Sequence, residues 1–100
     1  MKVLDDCHNY ELDRFLGSGC EYLHFYEMKE DGTKIDGVTN EEVLRVLIHR
    51  LKFLNEEWQG GKFQCKENDV AIYHLGEALE RLEARTQNRT ARGVEGTHRE

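Results

Sequence analysis

Two amphipathic helical patterns, joined by a short glycine-containing connection, constrain the fold of this chain more than any other feature. In both patterns, apolar residues recur at the three- and four-residue steps that place side chains on one face of an α-helix. The first stripe is Val43, Leu44, Leu47, Ile48, Leu51 and Leu54, and the second is Val70, Ile72, Leu75, Ala78, Leu79 and Leu82. Helices joined by a short loop usually pack side by side in opposite directions. The sequence therefore predicts an antiparallel helical hairpin over residues 39–92.

Local signals indicate where each helix begins and ends. Residues 39–42 read TNEE, a capping box in which Thr39 and Glu42 each accept a hydrogen bond from the other's backbone amide. Asn55 and the pair Gly60-Gly61 favour the end of the first helix. The second helix is expected to begin within residues 65–67.

The residues before the hairpin carry strand patterns. Segments 10–15 and 20–29 contain aromatic and alternating apolar residues that favour β-strands, and residues 33–38 form a third short strand. Asp31-Gly32 favours a hairpin turn of type I′. We therefore expect one α+β domain over residues 1–100, with a small antiparallel sheet at about 8–38, the hairpin at 39–92 and a C-terminal tail at 93–100.

The composition narrows the function classes. The chain of 100 residues has no proline, 34% charged residues and a net charge of −6, which argues against a duplex-DNA binder with a broad basic face. A small polar chain has little apolar surface for a core, so oligomerisation is expected. No secretory h-region and no run of 18 apolar residues occurs. Three widely spaced cysteines fit reduced thiols, so we expect a cytoplasmic protein without a membrane partner.

Motifs for common enzyme chemistry are missing from the sequence. It contains no Walker loop, GxGxxG, GxSxG or HExxH motif. The five histidines and three cysteines show neither CxxC nor HxxxH spacing, so no metal site is predicted. No nucleophile–base pair stands out. We therefore expect a protein that is not an enzyme and that needs no cofactor.

Arginines replace the apolar residues near the end of the second helical pattern. They are Arg81, Arg85, Arg89 and Arg92, and steps of four, four and three residues place them along one helix face. One interpretation is a solvated helix end, where arginine also suits the helix dipole. The other is an anion site, because guanidinium groups one turn apart suit a phosphate or a pyrophosphate. The spacing leaves both open.

Candidate aromatic partners for such an anion lie at the other end of the hairpin. Phe53, Trp58 and Phe63 are close to the turn between the helices, and Trp58 fits either a lid on the local core or a ligand platform. Arg85 and Arg89 lie about 25–30 Å away along the second helix, at 1.5 Å per residue. One ligand can use both groups only if a second subunit brings its arginines to the first subunit's turn. A shared site therefore predicts a dimer.

Several motifs resemble one phage protein family. They are YEL…F near the N-terminus, TNEEVL at 39–44, CKEN at 65–68 and RGVEGT at 92–97, within a resemblance spanning roughly residues 8–98. Together they resemble the phage anti-Thoeris sponge proteins, whose helical hairpin is shared with the anti-CBASS sponge proteins. The resemblance implies a non-enzymatic protein that holds cyclic ADP-ribose isomers such as glycocyclic ADP-ribose intact, inside the infected bacterium. It also implies assembly as a dimer or as a hexamer made of three dimers.

The resemblance also implies site residues. The family's ligand arginines correspond to Arg85 and Arg89, which would hold the pyrophosphate. Its pocket asparagine corresponds to Asn68, and its stacking aromatic to Phe53 or Trp58. A second site for cyclic di- or trinucleotides would involve Lys66 and Ala71. Lys66 stands where the family more commonly has arginine, and a lysine binds phosphate as a point charge without the bidentate fork.

Other functions remain open at this point. A phage protein that inhibits a host enzyme by direct contact would use the same helices without needing Arg85. A phosphodiesterase would need a metal site or an acid–base pair, and the sequence supplies neither with recognisable spacing. RNA binding is a further alternative, and it would weaken with moderate salt.

Overall fold

The computed structural model describes residues 1–91, which divide into two units. One unit covers Met1–Thr39, and the other is helical and begins at Asn40. The α+β class is confirmed, with small antiparallel sheets in the first unit and two helices in the second. The predicted tail at 93–100 and Arg92 lie outside the described residues. The single-domain assignment over residues 1–100 includes them and stays a prediction.

The first unit contains a three-stranded antiparallel sheet in the order β1-β2-β3. Its strands are β1 (Lys2–Asp5), β2 (Asn9–Asp13) and β3 (Cys20–His24). Strand β1 was not predicted from the sequence. Its hairpin turn consists of Asp6 and Cys7 with φ values of 39° and 62°, closed by a 2.7 Å bond from the His8 amide to the Asp5 carbonyl. Two central residues with positive φ are typical of a type I′ turn, which here forms without glycine.

The predicted long strand at 20–29 is interrupted after His24. A second, two-stranded antiparallel sheet follows, formed by β4 (Glu27–Met28) and β5 (Lys34–Ile35). Its turn contains Gly32 at φ +89°, with bonds from the Gly32 amide to the Lys29 carbonyl and from the Lys29 amide to the Thr33 carbonyl. This is a three-residue loop with a glycine at its last position. The hairpin prediction is therefore confirmed, and the type I′ assignment is wrong.

Gly37 explains the interruption of the long strand. Tyr26 donates its amide to the Val38 carbonyl, and Val38 donates its amide to the His24 carbonyl, so the two segments cross closely. A Cβ atom on Gly37 would lie 2.5–2.8 Å from backbone atoms of residues 24–26. The crossing depends on Gly37, which lies 12 positions after Phe25. Strand propensity within residues 20–29 therefore does not predict it.

The helical unit is an antiparallel hairpin, as predicted. Helix α1 (Asn40–Glu56) begins directly after Thr39, and a 3-10 helix (Trp58–Gly61) leads to helix α2 (Lys66–Ala91). Contacts near both ends establish the direction of the helices. Arg45 in α1 binds Glu83 in α2 at 3.1 Å, and Asn55 in α1 donates to Asp69 in α2 at 2.8 Å.

Burial in the described chain is sparse. Over residues 1–91 only Asn55 and Arg89 are buried, and both are polar. Three residues predicted to belong to the buried stripes are exposed: Leu47 in α1, and Val70 and Ala78 in α2. In the hairpin the exposed large apolar side chains are Val46, Leu47, Phe53, Trp58, Phe63, Val70 and Tyr73. Neither helix within residues 1–91 combines the length and the apolar character that a membrane span needs.

Candidate ligand-binding site

A buried amide organises the turn of the hairpin. Asn55 is 1% exposed, and its Oδ1 accepts a 3.0 Å hydrogen bond from the Cys65 backbone amide. Its Nδ2 donates to Asp69 Oδ1 at 2.8 Å. The residue thus joins the last turn of α1 to the first turn of α2, where backbone amides have no partner within the helix. From the sequence, Asn55 was predicted only to end α1, and its burial was not predicted.

Asn68, a predicted ligand residue, belongs to the same cluster. Its Nδ2 donates to the Phe63 carbonyl at 3.1 Å and to Asn55 Oδ1 at 3.4 Å. An asparagine amide has two donor hydrogens and an acceptor oxygen. Since both hydrogens face the turn, the group that Asn68 can offer to a ligand is its Oδ1 oxygen.

The two candidate stacking aromatics lie together beside this turn. The ring centroids of Phe53 and Trp58 are 5.8 Å apart, with 51° between the ring planes. Phe53 is 39% exposed and Trp58 is 44% exposed, so each keeps a large part of its surface open. These two residues were predicted as alternatives for the stacking position, and in the structure they form one aromatic pair.

The arginines of α2 are in different environments. Arg81 and Arg85 are exposed, and neither has an ion pair or a hydrogen bond within residues 1–91. Arg89 is 6% exposed and is engaged in an interaction. A solvated helix end describes Arg81 and Arg85 but not Arg89, because the Arg89 side chain is buried and engaged in an interaction.

The predicted site residues form two groups in a single hairpin. Phe53, Trp58 and Asn68 lie at the turn, whereas Arg85 follows Asn68 by 17 residues, about 25 Å along α2. The structure therefore brings the aromatics and the asparagine together and leaves the arginines apart from them.

The two residues predicted for a second site do not share a helix face. Lys66 is exposed at the first position of α2, and Ala71 is half-buried. A separation of five residues turns the helix by roughly 140° beyond a full turn. The two positions are thus neighbours along α2 that face different directions.

A depression that the sequence analysis missed runs along α1. It has a volume of about 720 Å³ and is lined by Glu42, Arg45, Val46, His49, Arg50 and Phe53. Val46 and Phe53 are seven residues apart, on a face that does not belong to the first predicted stripe. That spacing is the signal that could have revealed this surface, because residues seven apart share a helix face.

Metal-ligating residues are scattered in the described part of the chain. No group of three or more His, Cys, Asp or Glu side chains within residues 1–91 is arranged to hold a metal ion. The three cysteines are free thiols.

Comparison with known proteins identifies the helical unit. The family model "Acb2/Tad1, hairpin domain" matches residues 27–87, more than half of the chain. The protein named "Thoeris anti-defense 1" from Bacillus phage SBSphiJ7 is 46% identical over 63 residues, which are 63% of this chain. The chain covers 42% of that relative's length. Strands β1–β3 precede the residues that the family model matches. The match over α1 and most of α2 confirms the family that the sequence motifs indicated, and the chain belongs to the Acb2/Tad1 hairpin-domain family.

Proposed function

We propose that this protein is a phage anti-defence protein that captures a cyclic ADP-ribose isomer, such as glycocyclic ADP-ribose, and holds it intact. Capture in the cytoplasm of the infected bacterium would keep the signal from its effector and block Thoeris immunity. The observation that carries the proposal is the family match, together with 46% identity to a relative named for Thoeris anti-defence.

The chemistry of the candidate site supports an anionic nucleotide ligand. Arg85 is exposed and has no partner in residues 1–91, so its planar guanidinium is available for bidentate contact with a pyrophosphate. The Phe53–Trp58 pair offers a surface on which a purine base can stack. Asn68 Oδ1 can accept a hydrogen bond from a ribose hydroxyl or from an exocyclic amine.

These residues support binding without cleavage. Arginine, asparagine and aromatic side chains bind and orient a nucleotide, but none of them is a ready nucleophile or a general base near neutral pH. We therefore propose capture of the ligand and its release in unchanged form. Nothing in this mechanism requires a metal ion or a cofactor.

The separation of the two residue groups supports a site shared between subunits. Because Arg85 lies about 25 Å from Asn68 in one hairpin, the proposed pocket combines the turn of one subunit with the arginines of another. The exposed apolar residues of the hairpin would be covered by the same association. We propose a homodimer or a hexamer formed from three dimers.

The affinity that capture requires also favours a closed pocket. Removing a signal before its receptor binds it needs roughly nanomolar affinity, about −12 kcal/mol. Two arginine contacts of about 1.5–3 kcal/mol each and one base stack of about 1–3 kcal/mol supply about a third to three quarters of this. The remainder would come from burial and preorganisation of the ligand between subunits.

A second ligand class is part of the proposal. Lys66 is exposed at the start of α2, where the helix dipole favours negative charge, and Ala71 follows at a half-buried position. We propose that this surface contributes to a separate site for cyclic di- or trinucleotides. Since the two residues face different directions, a second subunit would have to complete the site.

Calorimetric titration of the purified full chain with glycocyclic ADP-ribose tests the main proposal. The wild type is expected to bind tightly, and heating the complex is expected to release the ligand with unchanged mass. Arg85→Ala should weaken binding about 10- to 100-fold, since a charge-assisted contact is worth about 1.5–3 kcal/mol. Arg81→Ala is the matched control, because it removes the same charge one turn earlier on an exposed position.

Three results would contradict the proposal. Recovery of a cleaved ligand after heating would show that the protein is an enzyme. Equal affinities of the Arg85→Ala and Arg81→Ala variants for the ligand would contradict a specific contact between Arg85 and the ligand. Full protection of a phage by Arg85→Ala against Thoeris, with no ligand binding, would favour direct inhibition of a host enzyme.

A further inference from the structure

We propose that the α1 depression is the part of the ligand site that holds a phosphate on the same subunit as the aromatic pair, with Arg50 as the phosphate-binding residue. This inference rests on the proposed function and assigns a position to one half of the ligand. The ligand portion is a nucleoside phosphate, whose base lies on Phe53 and whose phosphate lies on Arg50.

Arg50 is placed to contact what Phe53 binds. Both residues line the depression, and they are three residues apart in α1, so their side chains are neighbours on one helix face. The rise between them is about 4.5 Å. This spacing suits a nucleotide, in which one sugar separates the base from its phosphate.

The free guanidinium of Arg50 distinguishes it from the other arginine in the depression. Arg45 binds Glu83 at 3.1 Å and lies 3.6 Å from Glu42, so it already joins α1 to α2. Arg50 is exposed and makes no ion pair or hydrogen bond within residues 1–91. A ligand phosphate would therefore give Arg50 a partner that residues 1–91 do not supply, whereas binding to Arg45 would compete with an existing pair.

The electrostatics of the depression favour an anion at the Phe53 end. Of the six lining residues, Glu42 is the acidic one, and it lies eight residues from Arg50, about 12 Å along the helix. His49 is adjacent to Arg50 and offers ring nitrogens for a further hydrogen bond. Among the lining residues, His49 and Arg50 thus lie nearest to Phe53, whereas the exposed Glu56 and Glu57 follow Phe53 by three and four residues outside the lining.

The dimensions of the depression suit a small ligand. Its volume of about 720 Å³ lies in the range of roughly 300–1,000 Å³ that is typical of ligand pockets. All six lining residues belong to one helix, so the depression forms one wall. A second subunit that supplies Arg85 would form the opposite wall. The ligand's two phosphates would then be held from two sides, by Arg50 of one subunit and by Arg85 of the other.

The test compares Arg50→Ala with Lys52→Ala by titration of each full-length variant with glycocyclic ADP-ribose. Lys52 is exposed on the same helix, is not one of the residues that line the depression, and lies about 200° around the helix from Arg50. Arg50→Ala is expected to weaken binding at least tenfold, and Lys52→Ala should stay within about threefold of the wild type. Arg50→Lys should recover only part of the affinity, because lysine lacks the bidentate fork.

Thermal unfolding and solution mass are measured for each variant, so that folding and assembly are controlled. If Arg50→Ala weakens binding only by changing the mass of the assembly, the residue acts in association, and the inference is overturned. Equal affinities for Arg50→Ala and Lys52→Ala also overturn it, and they leave the proposed function intact. If the wild type does not bind the ligand, the proposed function and the inference both fail.

Discussion

Replacing Asn55 with alanine is expected to destabilise the hairpin more than any single surface substitution. The side chain is 1% exposed, and its amide joins α1 to the start of α2. Alanine leaves the Cys65 backbone amide without its acceptor and the Asp69 carboxylate without its donor. The substitution therefore removes these two polar links, and it also removes the longer 3.4 Å contact from Asn68 Nδ2 to Asn55 Oδ1.

The magnitude follows from the two bonds. A neutral hydrogen bond contributes about 0.5–1.5 kcal/mol, and one to a charged group about 1.5–3 kcal/mol. Cys65 and Asp69 are exposed, so water can partly replace the lost partner. Alanine also has a higher helix propensity, by about 0.5 kcal/mol. We therefore expect a loss of about 2 kcal/mol in the free energy of unfolding, which lowers Tm by about 8–16 °C for a chain of this size.

Urea denaturation followed by far-UV circular dichroism measures this loss. The matched control is Asn88→Ala, which removes an exposed asparagine from α2 that has no hydrogen bond within residues 1–91. It should change stability by less than about 0.5 kcal/mol, as surface substitutions usually do. A double-mutant cycle with Asp69→Ala should give a coupling energy of about 1 kcal/mol or more. If Asn55→Ala lies within about 0.5 kcal/mol of the wild type, the amide does not hold the turn.

Two further predictions concern glycine and pH. Gly37→Ala should cost about 1–3 kcal/mol, since its Cβ would overlap backbone atoms of residues 24–26, whereas Gly76→Ala, with open space around its Cβ, should stabilise α2 by up to about 1 kcal/mol. Equal unfolding midpoints for these two variants would contradict the crossing at Gly37. Hydrogen bonding from the Thr33 backbone amide at 2.8 Å holds the pKa of Asp31 below its ordinary value. A lowered folded-state pKa contributes stability above the ordinary carboxyl pKa of about 4, and this contribution is lost as pH falls through the lowered value. Two results would refute this pKa prediction. One is an NMR titration in which Asp31 titrates at its ordinary pKa. The other is an Asp31→Asn variant whose turn keeps the wild-type dependence of stability on acidic pH.

The helical unit could be predicted from sequence because its signals are local. The TNEE box precedes a helix that begins at Asn40, and the expected start within residues 65–67 includes Lys66, where α2 begins. Both helix starts depend on side chains that act within one turn of their own position. Short-range chemistry of this kind is visible in a single sequence.

The features that could not be predicted from the sequence depend on contacts between distant segments or on unusual backbone conformations. Strand β1 was missed because its turn uses Asp6 and Cys7 at positive φ, where glycine or asparagine is the usual signal. The burial of Asn55 depends on Cys65 and Asp69, ten and fourteen residues away. Arg89 looked like the other arginines of α2, and only the structure separates its buried side chain from the exposed Arg85.

The incomplete burial and the separation of the predicted site residues have one physical origin. A hairpin of two helices covers only one side of each helix, so an apolar residue on another side of α1, such as Val46, stays exposed in a single chain. The same geometry places Phe53 and Arg85 at opposite ends of the unit. An antiparallel association of two hairpins would cover the exposed faces and bring the turn of one next to the arginines of the other. In such an assembly, ligand affinity would depend on protein concentration below the dissociation constant of the dimer. Dilution should therefore weaken binding by the wild type, and a covalently linked pair of chains should remove that dependence.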